Sequence, residues 1–217
     1  MKARNQDSII IIGSGGHAKI CIDQLQSLNY SIDCCINKGH SIDSPSTIFS
    51  IPIISGNEKL QEKFNLGYRK VFVAIGDNQI RENISNYASR IGFEFINIIS
   101  DKAIVSNKAV LGTGILIMPG AIINANVEIG SHSIINTGAI VEHECLISEY
   151  SHVASNTVLS GKVEIGTNTL VGAGSTVLPN VKIGARVTVG AGSVVTRNVL
   201  DDQVVMGNPA KLRPKDS

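Results

Sequence analysis

Every sixth residue from Val105 through Ile117, Ile135, Val153 and Val171 to Val195 is aliphatic, sixteen positions in one unbroken phase. Helices repeat at 3.6 residues and half-buried strands at two, so neither accounts for a period of six held this long. The pattern predicts a hexapeptide parallel β-helix with three short strands per turn, in which eighteen residues make one coil. Two residues before each aliphatic stands another small or β-branched residue, such as Ala121, Val127, Ser133, Ala139 and Val163, which strand alternation also turns inward. The residue after each aliphatic is nearly always small, with glycine at 112, 130, 166, 172, 184 and 190. These positions are read as the tight corners of the prism, where glycine is permissive. Stacked at ~4.8 Å, about five coils give a prism ~25 Å long. Period alone does not fix its hand.

The first hundred residues keep a different beat. "SIIIIG" (Ser8–Gly13), "SIDCCI" (Ser31–Ile36), "KVFVAIG" (Lys70–Gly76) and "FEFINII" (Phe93–Ile99) read as buried strands. "HAKICIDQLQSLN" reads as a helix with Ile20, Leu25 and Leu28 on one side. A second helix runs through "NQIRENISNYASRIG", capped by Asp77 or Asn78 and ended by Gly92. Strands alternating with helices imply an α/β Rossmann-like domain over residues 1–100, and the β-helix with its C-terminal tail takes residues 101–217.

A net charge of +1 without runs of like sign offers no field for nucleic acid or an anionic membrane. The short apolar run at Ser8–Gly13 cannot span a bilayer, and the N-terminus lacks signal-peptide regions, so a cytoplasmic protein is expected. Cys34 and Cys35 are adjacent while Cys21 and Cys145 are solitary, a spacing that suits buried free thiols.

Three corner positions carry large residues instead of small ones: Met118, Leu178 and Glu142. Met118 and Leu178 suit packing, whereas Glu142 opens the triplet Glu142-His143-Glu144. Corner geometry turns His143 outward, and a neighbouring carboxylate can orient an imidazole as a general base. Gly161 lies eighteen residues on, stacked over His143, where a bare N–H can face a carbonyl oxygen that develops charge. His152 is nine residues from His143, half a coil away, and therefore on another face. If both serve one substrate, they meet across a subunit interface. His40 and His132 are read as surface residues, and His132, His143 and His152 occupy three different hexad positions, so no metal site is expected.

"GSGGHA", Gly13–Ala18, follows a strand and opens a helix, the setting in which backbone N–H groups hold a diphosphate. The second strand ends in Ile36-Asn37-Lys38 with no acid to hold a ribose, which favours a nucleoside diphosphate over NAD. His17, in the first helical turn, can add a hydrogen bond to a phosphate.

Together with "AIGDNQIR" (Ala74–Arg81), "GILIMPGAIINANVEIG" (Gly114–Gly130), the "VEHE…SHV" segment and "GNPAK" (Gly207–Lys211), this loop resembles the PglD-type nucleotide-sugar N-acetyltransferases, relatives of the NeuD-like sialic acid O-acetyltransferases. The resemblance implies a left-handed β-helix that forms a homotrimer, with active sites between subunits. It implies acetyl-CoA as co-substrate and acetylation of the 4-amino group of a nucleotide-linked 4-amino-4,6-dideoxy sugar, with UDP or dTDP the expected nucleotide, in precursor synthesis for bacterial surface polysaccharide or protein glycosylation. By the same resemblance, His143 is the general base and Glu144 its carboxylate partner. His152, Gly161, Gly172 and Gly190 go to the acetyl-CoA side, and Asn136 to the substrate. Ser14, Gly15, Gly16 and His17 surround the nucleotide-sugar. Where the family has two aspartates near uracil, this chain has Asn37 and Lys38, so the base contacts differ and dTDP or GDP can replace UDP. A hydroxyl acceptor, a zinc β-helix enzyme and a non-catalytic nucleotide-binding scaffold are the alternatives.

Overall fold

A computed structural model describes residues 7–39 and 46–213; His40 lies outside them. The chain divides into two compact units, one ending at Ile98 and the other beginning at Ile99.

The first unit is built on β1 (Ile9–Ile12), whose four isoleucines are at most 3% exposed because both faces of the strand are covered. Helix α1 (Gly16–Ser27) follows, then β2 (Ile32–Asn37), β3 (Thr47–Ile48) and β4 (Ile51–Ser55), α2 (Glu58–Asn65), β5 (Lys70–Val73), α3 (Asn78–Ile91) and β6 (Glu94–Phe95). The sheet order is β3-β4-β2-β1-β5-β6, parallel except for the β3–β4 hairpin. That hairpin turns through Phe49 and Ser50, both at positive φ, in place of the Asn-Gly pair that marks such turns in a sequence. In α1 the buried stripe is Ala18, Cys21, Ile22 and Leu25 at i, i+3, i+4, i+7. Ile20 and Leu28 lie at its half-buried margins, a correction to the predicted face. The predicted caps of the last helix fit α3, where the Ile80 N–H donates to Asp77 Oδ1 at 2.8 Å and Gly92 closes the end at φ 104°. "FEFINII" is not one strand: Ile96 and Asn97 interrupt it, and Ile98–Ile99 starts the following coil.

In the second unit, two-residue strands recur every six residues and pair in parallel with those eighteen residues away. Leu116, Ile134, His152, Leu170 and Thr188 form one such row. The pairings build three sheets, the faces of a prism. From Ile117 to Val195 every aliphatic of the sixfold series is at most 3% exposed. Burying one such side chain contributes roughly 1.5–3 kcal/mol, and the column repeats it coil after coil. The polar members of the other inward column are also satisfied. Ser133, Ser151, Thr157, Thr169 and Ser175 each donate a hydroxyl hydrogen bond to the carbonyl fifteen residues on, and the Cys145 thiol does the same to Ser160 at 3.1 Å. All four cysteines are free and buried.

The corner works differently from the prediction. The left-handed residue is not the small one after the aliphatic but the residue two further on, at every sixth position from Gly114 to Gly192, with φ between 55° and 73°. The small residue answers to stacking instead. A Cβ on Gly130 would come within 2.5 Å of Glu149 N, and one on Gly166 within 2.4 Å of the Gly184 carbonyl carbon. Neighbouring coils approach too closely there for a side chain.

The last coil is shorter: Thr188 and Val189 pair with Val204 and Val205, sixteen residues away. Lys211–Leu212 then returns antiparallel against Val205 and Met206 after the Gly207–Ala210 turn.

Candidate active site

His143 lies between the strands Ile140–Val141 and Leu146–Ile147, on a corner that turns at Glu144 with φ 59°. Its imidazole projects outward, with the side chain 58% exposed. Of the two flanking acids only Glu144 engages it, with Oε2 at 3.0 Å from His143 Nδ1. Glu142 is held from the preceding coil, its Oε2 accepting from Asn124 Nδ2 at 2.9 Å. When the Nδ1 proton is donated to Glu144, Nε2 carries the lone pair, the form a general base requires.

The next coil completes the corner. A Cβ on Gly161 would lie 2.7 Å from His143 Cε1 and Nε2, so only glycine leaves room for this ring orientation. The Lys162 N–H donates to the His143 carbonyl at 3.0 Å, and Lys162 Nζ stands 3.8 Å from Glu144 Oε1. Among the described residues the Gly161 N–H has no backbone hydrogen-bond acceptor. Stacking arithmetic predicts Gly161 here; Lys162 carried no signal, being one lysine on an exposed corner.

His152 and Asn136 form a second pair on a different edge of the prism. Asn136 Oδ1 accepts from the Thr137 N–H at 2.8 Å, which fixes the carboxamide so that Nδ2 faces His152 Nε2 at 3.1 Å. Nε2 is then the acceptor and Nδ1 carries the proton. Gly172 and Gly190 stand two and three coils above Asn136, and stacking accounts for both: a Cβ would meet Ala191 N at 2.6 Å or Met206 Cβ at 2.8 Å. His132 is not a surface residue. It is 7% exposed and stacks on the Tyr150 ring at 5.0 Å, because its left-handed corner position folds the side chain along the corner column. Met118 is buried and Leu178 is 39% exposed. Among the described residues no three His, Cys, Asp or Glu side chains converge as metal ligands, and no helix is long and apolar enough to cross a membrane.

In the first unit the glycine loop divides by role. Gly13 is demanded by the fold, with φ 124° and a hypothetical Cβ 2.7 Å from the Ala74 carbonyl oxygen. Gly15 and Gly16 have nothing within 4 Å of a Cβ, so the glycines there leave open room over the start of α1. Gly15 caps that helix without a side-chain hydrogen bond, and the first turn contains no acid. Its amides and the positive end of its dipole are therefore available to an anion. Asn37 Nδ2 donates to Ser14 Oγ at 2.8 Å, which ties the end of β2 to the loop, while Lys38 is exposed. His17 is held neutral, its pKa brought down to about 4 by burial and then by the nearby Arg81 charge. Arg81, 2% exposed, donates to the carbonyls of Ile75 and Gly76 at 3.0 and 3.1 Å and to Asn78 Oδ1 at 2.7 Å. It thereby secures the loop between β5 and α3. Its only sequence signal is a charged residue on the buried side of an amphipathic helix.

Residues 8–88 match the PglD N-terminal domain, and residues 162–197 match the bacterial transferase hexapeptide repeats. Perosamine N-acetyltransferase from Caulobacter crescentus, solved with CoA and GDP-perosamine as a histidine-to-asparagine variant, is 35% identical over 96% of this chain and 97% of its own, with a TM-score of 0.92. This chain belongs to the PglD-type nucleotide-sugar N-acetyltransferases. The acetyltransferase domain of PglB from Neisseria gonorrhoeae, in complex with acetyl coenzyme A, is 29% identical over 96% of this chain and 100% of its own, with a TM-score of 0.88. The expected order, a Rossmann-like α/β domain and then the left-handed β-helix, is the fold of this PglD-type chain. As a member of the family it is an acyltransferase.

Proposed function

We propose that the enzyme transfers the acetyl group of acetyl-CoA to the 4-amino group of a nucleotide-linked 4-amino-4,6-dideoxy sugar. The observation that carries the mechanism is the single-sided engagement of His143: Glu144 at 3.0 Å from Nδ1, Gly161 against the ring, and Nε2 with no hydrogen bond to the described residues. The neutral amine attacks the thioester carbonyl and a C–N bond forms. His143 Nε2 accepts the ammonium proton as it becomes acidic. The Gly161 N–H faces the oxyanion, the C–S bond breaks, and the coenzyme thiolate leaves and recovers the proton from His143. Cys145 takes no part, because its thiol points inward and burial pushes it up to about 11.

The diphosphate of the sugar nucleotide binds over Ser14–His17, and Asn37 and Lys38 border the base. Solved relatives above a quarter identity include an enzyme holding GDP-perosamine, so a GDP-linked amino sugar is the first to test, followed by UDP- and dTDP-linked ones. The His143–Glu144 and Asn136–His152 pairs lie on different edges, which supports a homotrimer whose active site draws one pair from each of two neighbours. Such an enzyme works in the cytoplasm, on precursors of surface glycans.

The test is acetyl-CoA consumption with each sugar nucleotide and mass analysis of the product. An alkali-stable monoacetylated product is expected, and a His143→Gln variant should lose on the order of 1,000-fold in kcat. An alkali-labile ester would mean a hydroxyl acceptor, and full turnover by His143→Gln would remove the base.

A further inference from the structure

Fourteen corner residues from Gly114 to Gly192 hold left-handed φ, and nine of them are glycine or asparagine, the residues that adopt it most readily. The other five are His132, Glu144, Tyr150, Lys162 and Arg186. Four of these have an evident reason to be there. His132 and Tyr150 stack on each other, Arg186 forms a two-point ion pair with Asp202, and Glu144 reaches His143. Lys162 is the fifth. It stacks directly over Glu144, eighteen residues on, with its N–H on the His143 carbonyl and its Nζ 3.8 Å from Glu144 Oε1. The carboxylate is thus spanned, one oxygen toward the imidazole and the other toward the ammonium.

We infer that Lys162 is a positioning residue for acetyl transfer, acting through Glu144. The inference rests on His143 being the base. Glu144 is about half exposed, and a carboxylate free to rotate at a solvated corner spends part of its time turned away from Nδ1. The ammonium selects the orientation that serves the ring, and its charge offsets part of the negative field on the imidazole. Few charges face that ring among the described residues. Glu144 and Glu142 come from its own corner and Lys162 from the next coil. The corners at Asn124–Asn126 and Leu178–Asn180 carry none.

The experiment is a double-mutant cycle read through kcat and both KM values, with acetyl-CoA and the best sugar nucleotide as substrates. Lys162→Gln should lower kcat by about threefold, in keeping with a half-exposed ion pair, and leave both KM values within about twofold. Lys162→Arg should restore kcat. In a Glu144→Gln background, Lys162→Gln should cost nothing further. An undiminished loss in that background, a change confined to the KM for acetyl-CoA, or an unchanged kcat in Lys162→Gln would each overturn the assignment. The His143→Gln control separates the two ideas: if it is inactive while the cycle shows no coupling, only the role of Lys162 fails. If it is fully active, both fail.

Discussion

Replacing Gly161 by alanine probes the base without touching it. The added Cβ would sit 2.7 Å from both Cε1 and Nε2 of His143 and 3.3 Å from Nδ1. Carbon contacts close at ~3.5 Å, so the ring must yield by about 0.8 Å or swing off Glu144. With the His143 side chain 58% exposed, it has room to do so. Gly161 is not at positive φ, so alanine suits the backbone, and the melting temperature should change by no more than about 3 °C. Catalysis should not be spared. A reacting group displaced by ~1 Å costs on the order of 100-fold, and that is the loss expected in kcat when free coenzyme thiol is followed at saturating sugar nucleotide. Gly166→Ala is the contrast, because its Cβ meets the Gly184 carbonyl carbon at 2.4 Å and Ala185 N at 2.5 Å, backbone that cannot swing aside. That variant should lose stability instead. Normal melting together with turnover within threefold of wild type in Gly161→Ala would refute the claim that this ring position matters.

Two further outcomes concern the first unit. Gly13→Ala forces a side chain into φ 124° and to 2.7 Å from Ala74 O, and should destabilise the protein by about 2 kcal/mol or more in urea unfolding. His17 has a folded pKa of about 4 against 6.5 when free, so the unfolded chain binds its proton first as pH falls. The stability at stake is intact above pH 6.5 and is lost toward pH 4, by up to ~3 kcal/mol. His17→Gln should therefore gain on wild type across that window, and parallel urea midpoints from pH 7 to 4.5 would contradict it.

The β-helix was legible because each coil repeats the same burial problem, and sixteen aliphatics in phase leave few other solutions. The corner is ambiguous in sequence because two demands, close stacking and left-handed φ, both favour glycine, and they fall two residues apart. Gly130 answers the first and Gly138 the second. In the first unit, β1 and α3 announced themselves through an unbroken isoleucine run and a cap at each end. The β3–β4 hairpin did not, because Phe49 and Ser50 take conformations their side chains disfavour. The same divide runs through the site. Glu142-His143-Glu144 stood out against a monotonous background, yet which acid serves the ring depended on Asn124, eighteen residues before Glu142. Lys162 and Arg81 act through neighbours that only the folded chain supplies.

A parallel spiral has no natural stopping point, since its terminal rung exposes the same donors and acceptors that join every rung below. Here the final turn is short by two residues and Lys211–Leu212 runs back across it. The hairpin covers part of a row that would otherwise invite another molecule to continue the spiral, and so guards against end-to-end fibre growth.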